Sequence, residues 1–301
     1  MIRHCLWVLL LLFLLPLFIL ESVVAAGLNS YDLAYVAEDG GMWQLYLSDS
    51  RDGRKQQVTK SSVDLRNPTW APHGNSIVYA TRKGSLYLDA LDGKSVEIPV
   101  PTIQNSEPTW STDGSFIAYI SYTNPRGYES ELWKVGITEK NAFGRADKIN
   151  IPSGLVTYPS CWRNTITYSR LEKVDYSGVI ENICRIDFDT GVEKILIADG
   201  FDNIHPAWSP DGKVLAYASN RQGNFDIWLW NEEENIYTQL TSDPSMDQYP
   251  TWSPDGSTIA FSSSRSGSSQ VWRIEVATGE ARQIGFGEHG SRDPDWRWAG
   301  K

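Results

Sequence analysis

The chain has 301 residues, with 27 Lys or Arg against 37 Asp or Glu, a formal net charge of −10. An acidic chain without a basic run has no electrostatic grip on nucleic acid or on an anionic lipid surface, so neither is expected as a partner. Aromatic residues make up 12% of the chain, 13 of them Trp, and Gly and Pro are spread evenly. That composition suits one all-β domain punctuated by turns.

The chain opens with a short basic stretch, Met1 to Arg3, then an uncharged apolar run from Cys5 to Leu20, then Glu21-Ser22-Val23-Val24-Ala25-Ala26. Val24 and Ala26 have the small-residue spacing of a signal-peptidase site, so residues 1–26 read as a secretory signal peptide cleaved after Ala26. The alternative is an uncleaved membrane anchor, but the run is short for a span and Pro16 interrupts it. Either way the remainder is exported, and any membrane contact is through the leader alone. Cys5 precedes the apolar run and is not a lipoprotein acylation site.

Three strands follow, over Asp32 to Ala37, Trp43 to Ser48 and Lys55 to Thr59. A repeat then sets in. Pro68-Thr69-Trp70, Pro108-Thr109-Trp110, Pro206-Ala207-Trp208, Pro250-Thr251-Trp252 and Pro294-Asp295-Trp296 share a Pro-x-Trp core, and Pro159-Ser160-Cys161-Trp162 is an imperfect sixth. The steps between prolines are 40, 51, 47, 44 and 44 residues, the period of a four-stranded propeller blade. In the fourth unit the strands fall at Ala207 to Ser209, Val214 to Ser219, Phe225 to Trp230 and Tyr237 to Thr241. The last unit supplies one strand before Lys301, and the missing three are those at the start. The expected architecture is therefore an all-β, six-bladed β-propeller over residues 31–301. Each blade is a four-stranded antiparallel sheet, and the C-terminal strand closes the ring by pairing with the three N-terminal strands. Such closure leaves no free sheet edge.

Trp208-Ser209-Pro210-Asp211-Gly212 recurs at Trp252 to Gly256 and drifts to Ala71-Pro72-His73-Gly74 and Ser111-Thr112-Asp113-Gly114. Pro presets the turn, Asp accepts backbone N–H groups, and Gly takes the left-handed position. A catalytic Asp would not be repeated and then replaced by His, so the motif reads as architecture. The Trp before each turn, and Tyr46, Tyr87, Trp133, Trp228 and Trp272 on third strands, are expected to pack blade on blade. In the third blade Cys161 takes the Trp slot and Cys184 the third-strand aromatic slot. First and third strands lie two strand spacings apart, about 9–10 Å, beyond disulfide reach, so two buried free thiols are expected.

The script resembles the TolB-type propeller repeat, a family akin to the WD repeats. The resemblance is carried by "HPAWSPDGKVLAYASNRQGNFDIW" from His205, "YPTWSPDGSTIAFSSSRSGSSQVW" from Tyr249 and "EPTWSTDGSFIAYIS" from Glu107. Members of that family carry an N-terminal α/β domain. Fewer than ten residues separate the leader from the first strand here, so that domain is expected to be absent. The resemblance implies a monomeric, non-catalytic propeller whose mouth face engages an envelope protein or lipoprotein in the periplasm.

Antiparallel blades put tight turns on one face (Asp52-Gly53, Asp92-Gly93, Asp189-Thr190-Gly191, Thr278-Gly279). The other face takes long connections such as "KSSVDLRNP", "PVPTIQNSEP" and "GFGEHGSRDP". Long loops on a rigid scaffold are where binding usually resides. The residue before each proline should ring that mouth of the channel: Asn67, Glu107, Tyr158, His205, Tyr249 and Asp293. These suit a protein or small polar ligand, with a solvated channel entrance as the bland alternative. Arg82, Arg126, Arg221 and Arg265 recur in the loops between second and third strands, opposite acids such as Asp202, Asp243 and Asp247. Two other functions stay open: a propeller lyase or hydrolase, and a passive scaffold or sensor. Against an enzyme, of His73, His205 and His289 only His205 falls at the channel, and no Gly-x-Ser-x-Gly elbow occurs. No cofactor is expected, beyond weak Ca²⁺ held by Glu107 and Asp293 as an alternative.

Overall fold

The computed structural model describes residues 30–298 except 92–93, 125–128, 139–141 and 176–177. The leader, the Asp92-Gly93 turn and Arg126 therefore lie outside the described residues. Within them, the strands form six four-stranded antiparallel sheets. The fourth blade runs Asn203–Trp208, Val214–Ser219, Asp226–Asn231 and Ile236–Gln239, in that order from the channel outward. Its first strand begins four residues before the Pro-x-Trp core suggested, so His205 lies inside the strand and not at its start. The first three strands are mostly buried while Ile236–Gln239, the outermost, is largely exposed.

Ring closure is by strand exchange between the chain ends. Ser291–Trp296 pairs antiparallel with Leu33–Asp39, matching Leu33 to Trp296 and Ala37 to Ser291. Met42–Ser48 and Lys55–Gln57 complete that sheet.

The first-strand tryptophans do pack blade on blade. Trp208 is buried with Ile183 and Ile197 of the third blade, and its indole N–H donates to Thr167 Oγ1 at 2.8 Å. Trp252 sits among Ala216 and Ile227 of the fourth blade and donates to the Ala207 carbonyl at 3.1 Å. The third-strand aromatics join these seams too: Tyr46 packs against a cluster that includes Ala260 and Val271 of the fifth blade, and Trp228 against Ile183 and Ile197 of the third. Tyr46 stacks on Tyr35 and Tyr87 on Tyr79 within their own blades, with centroids 6.0 and 5.9 Å apart. These rings also cover the flank of a second-strand aromatic.

The W-S-P-D-G turns hold as hairpins. Ser209 Oγ donates to Asp211 Oδ1 at 2.6 Å, the Lys213 N–H donates to the same oxygen at 3.1 Å, and the Gly212 N–H donates to the Ser209 carbonyl at 2.8 Å. Gly212 has φ +73°, and a Cβ there would fall 2.3 Å from Trp162 Nε1. Trp162 belongs to the third blade, where Cys161 occupies the Trp slot opposite Ile166. Its indole thus lies over the next blade's turn. Cys184 pairs with Tyr168, as the third-strand aromatics do in other blades, and both cysteines are free thiols.

Candidate functional site at the channel

Each innermost strand carries the same irregularity. In the fourth blade, Ile204 pairs with Ala218 and Ala207 with Ala216, so His205 and Pro206 together face Tyr217. This is a β-bulge, and proline suits it because its missing N–H takes no ladder bond. The bulge recurs at Asn67-Pro68 opposite Tyr79, Glu107-Pro108 opposite Tyr119, Tyr158-Pro159 opposite Tyr168, Tyr249-Pro250 opposite Phe261 and Asp293-Pro294 opposite Tyr35. All six residues before proline are left-handed, with φ of 49°, 52°, 53°, 57°, 57° and 55° for Asn67, Glu107, Tyr158, His205, Tyr249 and Asp293. A non-glycine residue in that region costs about 1–2 kcal/mol. The bulge turns each of these side chains into the channel.

The six residues meet there, but not as a solvated entrance. His205 and Asp293 are buried, at 5% and 6% exposure, and the other four are half-buried. Tyr158, His205 and Tyr249 cluster with tilted rings, centroids 3.9 Å apart for the first two and 3.7 Å for the last two. The acids tie the ring together by accepting backbone N–H groups of the following bulge. Glu107 accepts the Tyr158 N–H at 2.6 Å and the Tyr122 hydroxyl at 3.1 Å, and Asp293 accepts the Asn67 N–H at 3.0 Å. Both His205 ring nitrogens and Asp293 Oδ1 are buried with no hydrogen-bond partner.

Burial decides the electrostatics. Desolvation holds His205 well below its usual range, so it is neutral at pH 7. It pushes Glu107 up to about 7, against the pull of its N–H and hydroxyl donors and of Arg66. Asp293 is also raised by burial, against Arg292 and Arg66.

A cavity of about 510 Å³ lies along the channel. Its walls run from the bulge residues, through Thr69, Thr109, Ser160 and Thr251, to Pro72, Pro210, Pro254 and Trp298 at the tight turns. No lining residue precedes a bulge in its strand, so the ring of six roofs the cavity and the turn face opens it. The turn face, which sequence patterning had made the quiet one, is thus where the channel opens.

Asp295 is a wall residue that sequence reasoning passed over. It holds the middle slot of Pro-Asp-Trp where other blades have Thr, Ser or Ala, and that departure was the available signal. Its carboxylate accepts the Trp70 N–H at 2.7 Å and the Thr251 hydroxyl at 3.2 Å. Burial pushes Asp295 from 3.8 up to about 7. Its folded-state value lies above its unfolded one, so this carboxyl favours folding at low pH. Its contribution weakens as pH rises from about 4 to about 7 and is constant above. Asp295→Asn should flatten the pH dependence of urea stability across that window by up to about 1.4 kcal/mol per pH unit. An unchanged slope would show that Asp295 ionises normally.

The loop arginines are mostly structural. Arg221 lies 4.4 Å from the Trp228 centroid and pairs with Asp199 at 2.7 Å, not with Asp202. Arg265 lies 4.9 Å from the Trp272 centroid and pairs with Asp247 at 2.7 Å. Arg82 is exposed and makes a long contact to Asp64, while Asp243 accepts the Ser245 N–H and no arginine bond. Asp202 accepts the Asn220 N–H through its carbonyl, and its own carboxyl is pushed up to about 6 by burial.

Around the roof, the connections expose apolar side chains. Ile103, Phe201 and Met246 are 78%, 42% and 53% exposed. They flank the carbonyls at 104, 202 and 246 that accept N–H groups from the tops of second strands, which places them on the mouth face. In the third blade the hairpin of Thr165–Asp175 and Gly178–Asp187 runs beyond the equivalent bond, Leu171 N–H to the Leu155 carbonyl. It ends in the exposed pair Val174 and Val179. Sequence reading missed this arm because that unit lacks the turn signals that date the other strands.

Residues 159–301 match the TolB β-propeller domain family. Those residues are similar to a TolB-type β-propeller domain. Among solved structures, it is similar to TolB from Acinetobacter baumannii, with a TM-score of 0.74 and 20% identity over 89% of this chain and 67% of that one. A putative TolB from Agrobacterium tumefaciens gives 0.70 and 19%, over 88% of this chain and 92% of that one. An oligogalacturonate lyase in complex with manganese gives 0.59 and 17%, over 86% and 74%. At such identities these likenesses show the fold alone. Among the described residues of this propeller, no three His, Cys, Asp or Glu side chains are grouped to hold a metal ion.

Proposed function

We propose that this TolB-type propeller is an exported, non-catalytic binding protein that engages a protein of the cell envelope through its mouth face. One observation carries the reading: six non-glycine residues are held left-handed in one ring, directly beneath loops that expose Ile103, Phe201 and Met246. Backbone strain repeated at six equivalent positions is kept only where the surroundings over-determine it, and such strain clusters at functional sites. Exposed apolar side chains on a polar rim are the usual material of a protein interface. The extended hairpin adds Val174 and Val179 at one side of that surface.

His205 supports a binding role over a catalytic one. It is neutral, lies against two tyrosine rings, and has no carboxylate on either ring nitrogen to orient it as a base. The family likeness favours export and an envelope partner, in keeping with the leader read from the sequence.

Ile103→Asp, Phe201→Asp and Met246→Asp, combined, test the surface without touching the buried ring. Capture of envelope proteins from cells that make this chain should fall by about tenfold or more, with the thermal midpoint unchanged. Equal recovery by the variant and the parent would remove the mouth face as the docking surface.

A further inference from the structure

The cavity beneath the ring has a chemistry that partner docking on the mouth face does not use. Its lining includes three carboxylates, Glu107, Asp293 and Asp295, and neither Lys nor Arg. Two of its buried lining groups have unused hydrogen-bonding capacity: Asp293 Oδ1, and both ring nitrogens of neutral His205. Asp295 lines the same lumen from two residues further along the closing strand, where it accepts from the Trp70 N–H and from the Thr251 and Thr69 hydroxyls. Tyr158 and Tyr249 supply aromatic faces at the roof.

We propose that this chamber binds an organic cation, a primary ammonium group carried on a short apolar stem, entering from the tight-turn face. The ammonium donates to Asp295 and to the free oxygen of Asp293, and the threonine hydroxyls complete its shell. The stem lies along the prolines and Trp298 that line the opening. Three features select this class of ligand. Anions meet carboxylates with no cation inside the lumen. A bare metal ion lacks a grouped set of three ligating side chains among the described residues. A neutral alcohol leaves the carboxylate charges uncompensated, whereas an ammonium pairs with them and gains from the ring faces as well. Burial raises Glu107 and Asp295 to about 7, so both are mostly ionised at pH 8, and a bound cation favours that form further.

The ammonium group can come from a free small amine or from the lysine side chain of a bound polypeptide, and the test separates the two. Calorimetric titrations at pH 8 use propylammonium chloride, N-acetyl-lysine methylamide and, as the neutral control, propanol. Propylammonium should bind in the millimolar range or tighter, and propanol should give no binding heat. Asp295→Asn keeps the size of the side chain and an oxygen for the Trp70 N–H, and it should weaken propylammonium by about tenfold or more. Binding of the lysine derivative as tightly as propylammonium would assign the site to a side chain, and its exclusion would assign it to a free amine. Either outcome upholds the ammonium site. Absence of propylammonium binding to the folded parent, equal binding by propanol, or equal binding by a folded Asp295→Asn variant would overturn it. The envelope-capture assay reads the mouth face independently, so failure of one leaves the other standing.

Discussion

A chain ending at Gly290 should not fold cooperatively. It loses Ser291–Trp296, the strand that pairs with Leu33–Asp39 and completes the closing sheet. The loss reaches three blades. Trp296 is buried with Leu33 and Tyr35 of its own sheet and with Ala260 and Val271 of the fifth blade. Asp293 and Asp295 accept the Asn67 and Trp70 N–H groups of the first blade. Removing the strand leaves those donors inside the ring without acceptors and opens a long apolar edge along Leu33–Asp39. Burial of one Trp contributes on the order of 4 kcal/mol, and the lost ladder and the N–H pairs bring the deficit to the whole stability of an ordinary domain. The expected result is loss of near-ultraviolet circular dichroism and of any cooperative urea transition. A truncated chain with the parent's transition would mean that the ring does not depend on its closing strand.

Trp208→Ala should cost about 3–5 kcal/mol, read as a fall in the urea midpoint at unchanged slope. The indole fills the seam between the third and fourth blades, beside Ile183 and Ile197. Its removal leaves a cavity there, and it also strips the N–H donor from Thr167 Oγ1, a fully buried hydroxyl. Trp208→Phe restores most of the volume but not the donor, so it should cost less than half as much. Pairing either change with Thr167→Val separates the hydrogen bond from the packing, because the orphaned hydroxyl is then gone. A loss below about 1 kcal/mol for the alanine variant would show that the seam collapses around the missing ring.

These effects follow from features that the sequence displays. The 40- to 51-residue period, the Pro-x-Trp core and the single terminal repeat gave the blade count and the closure, because each encodes a local turn or a packing ring. The residues before the prolines were identified for the same reason: once the repeat phase is known, Asn67, Glu107, Tyr158, His205, Tyr249 and Asp293 are equivalent. Their conformation was hidden. A residue before proline ordinarily favours extended backbone, whereas here a bulge opposite a buried second-strand aromatic forces φ positive. That single local change converts an expected open rim into a roof and moves the channel opening to the turn face. Asp295 was legible only as a departure from Pro-Thr-Trp, and its partners Trp70 and Thr251 come from other blades.

The central claim is that the mouth face, with its ring of left-handed residues and exposed loop side chains, is where this protein meets its partner. The most direct measurement places a photo-crosslinking amino acid at Phe201 on that face, and separately at Asp189 on the tight-turn face, in cells that make the protein. Both positions are exposed. A discrete adduct from position 201, absent from position 189, is the predicted result. An adduct confined to position 189, or equal adducts from both, would contradict it.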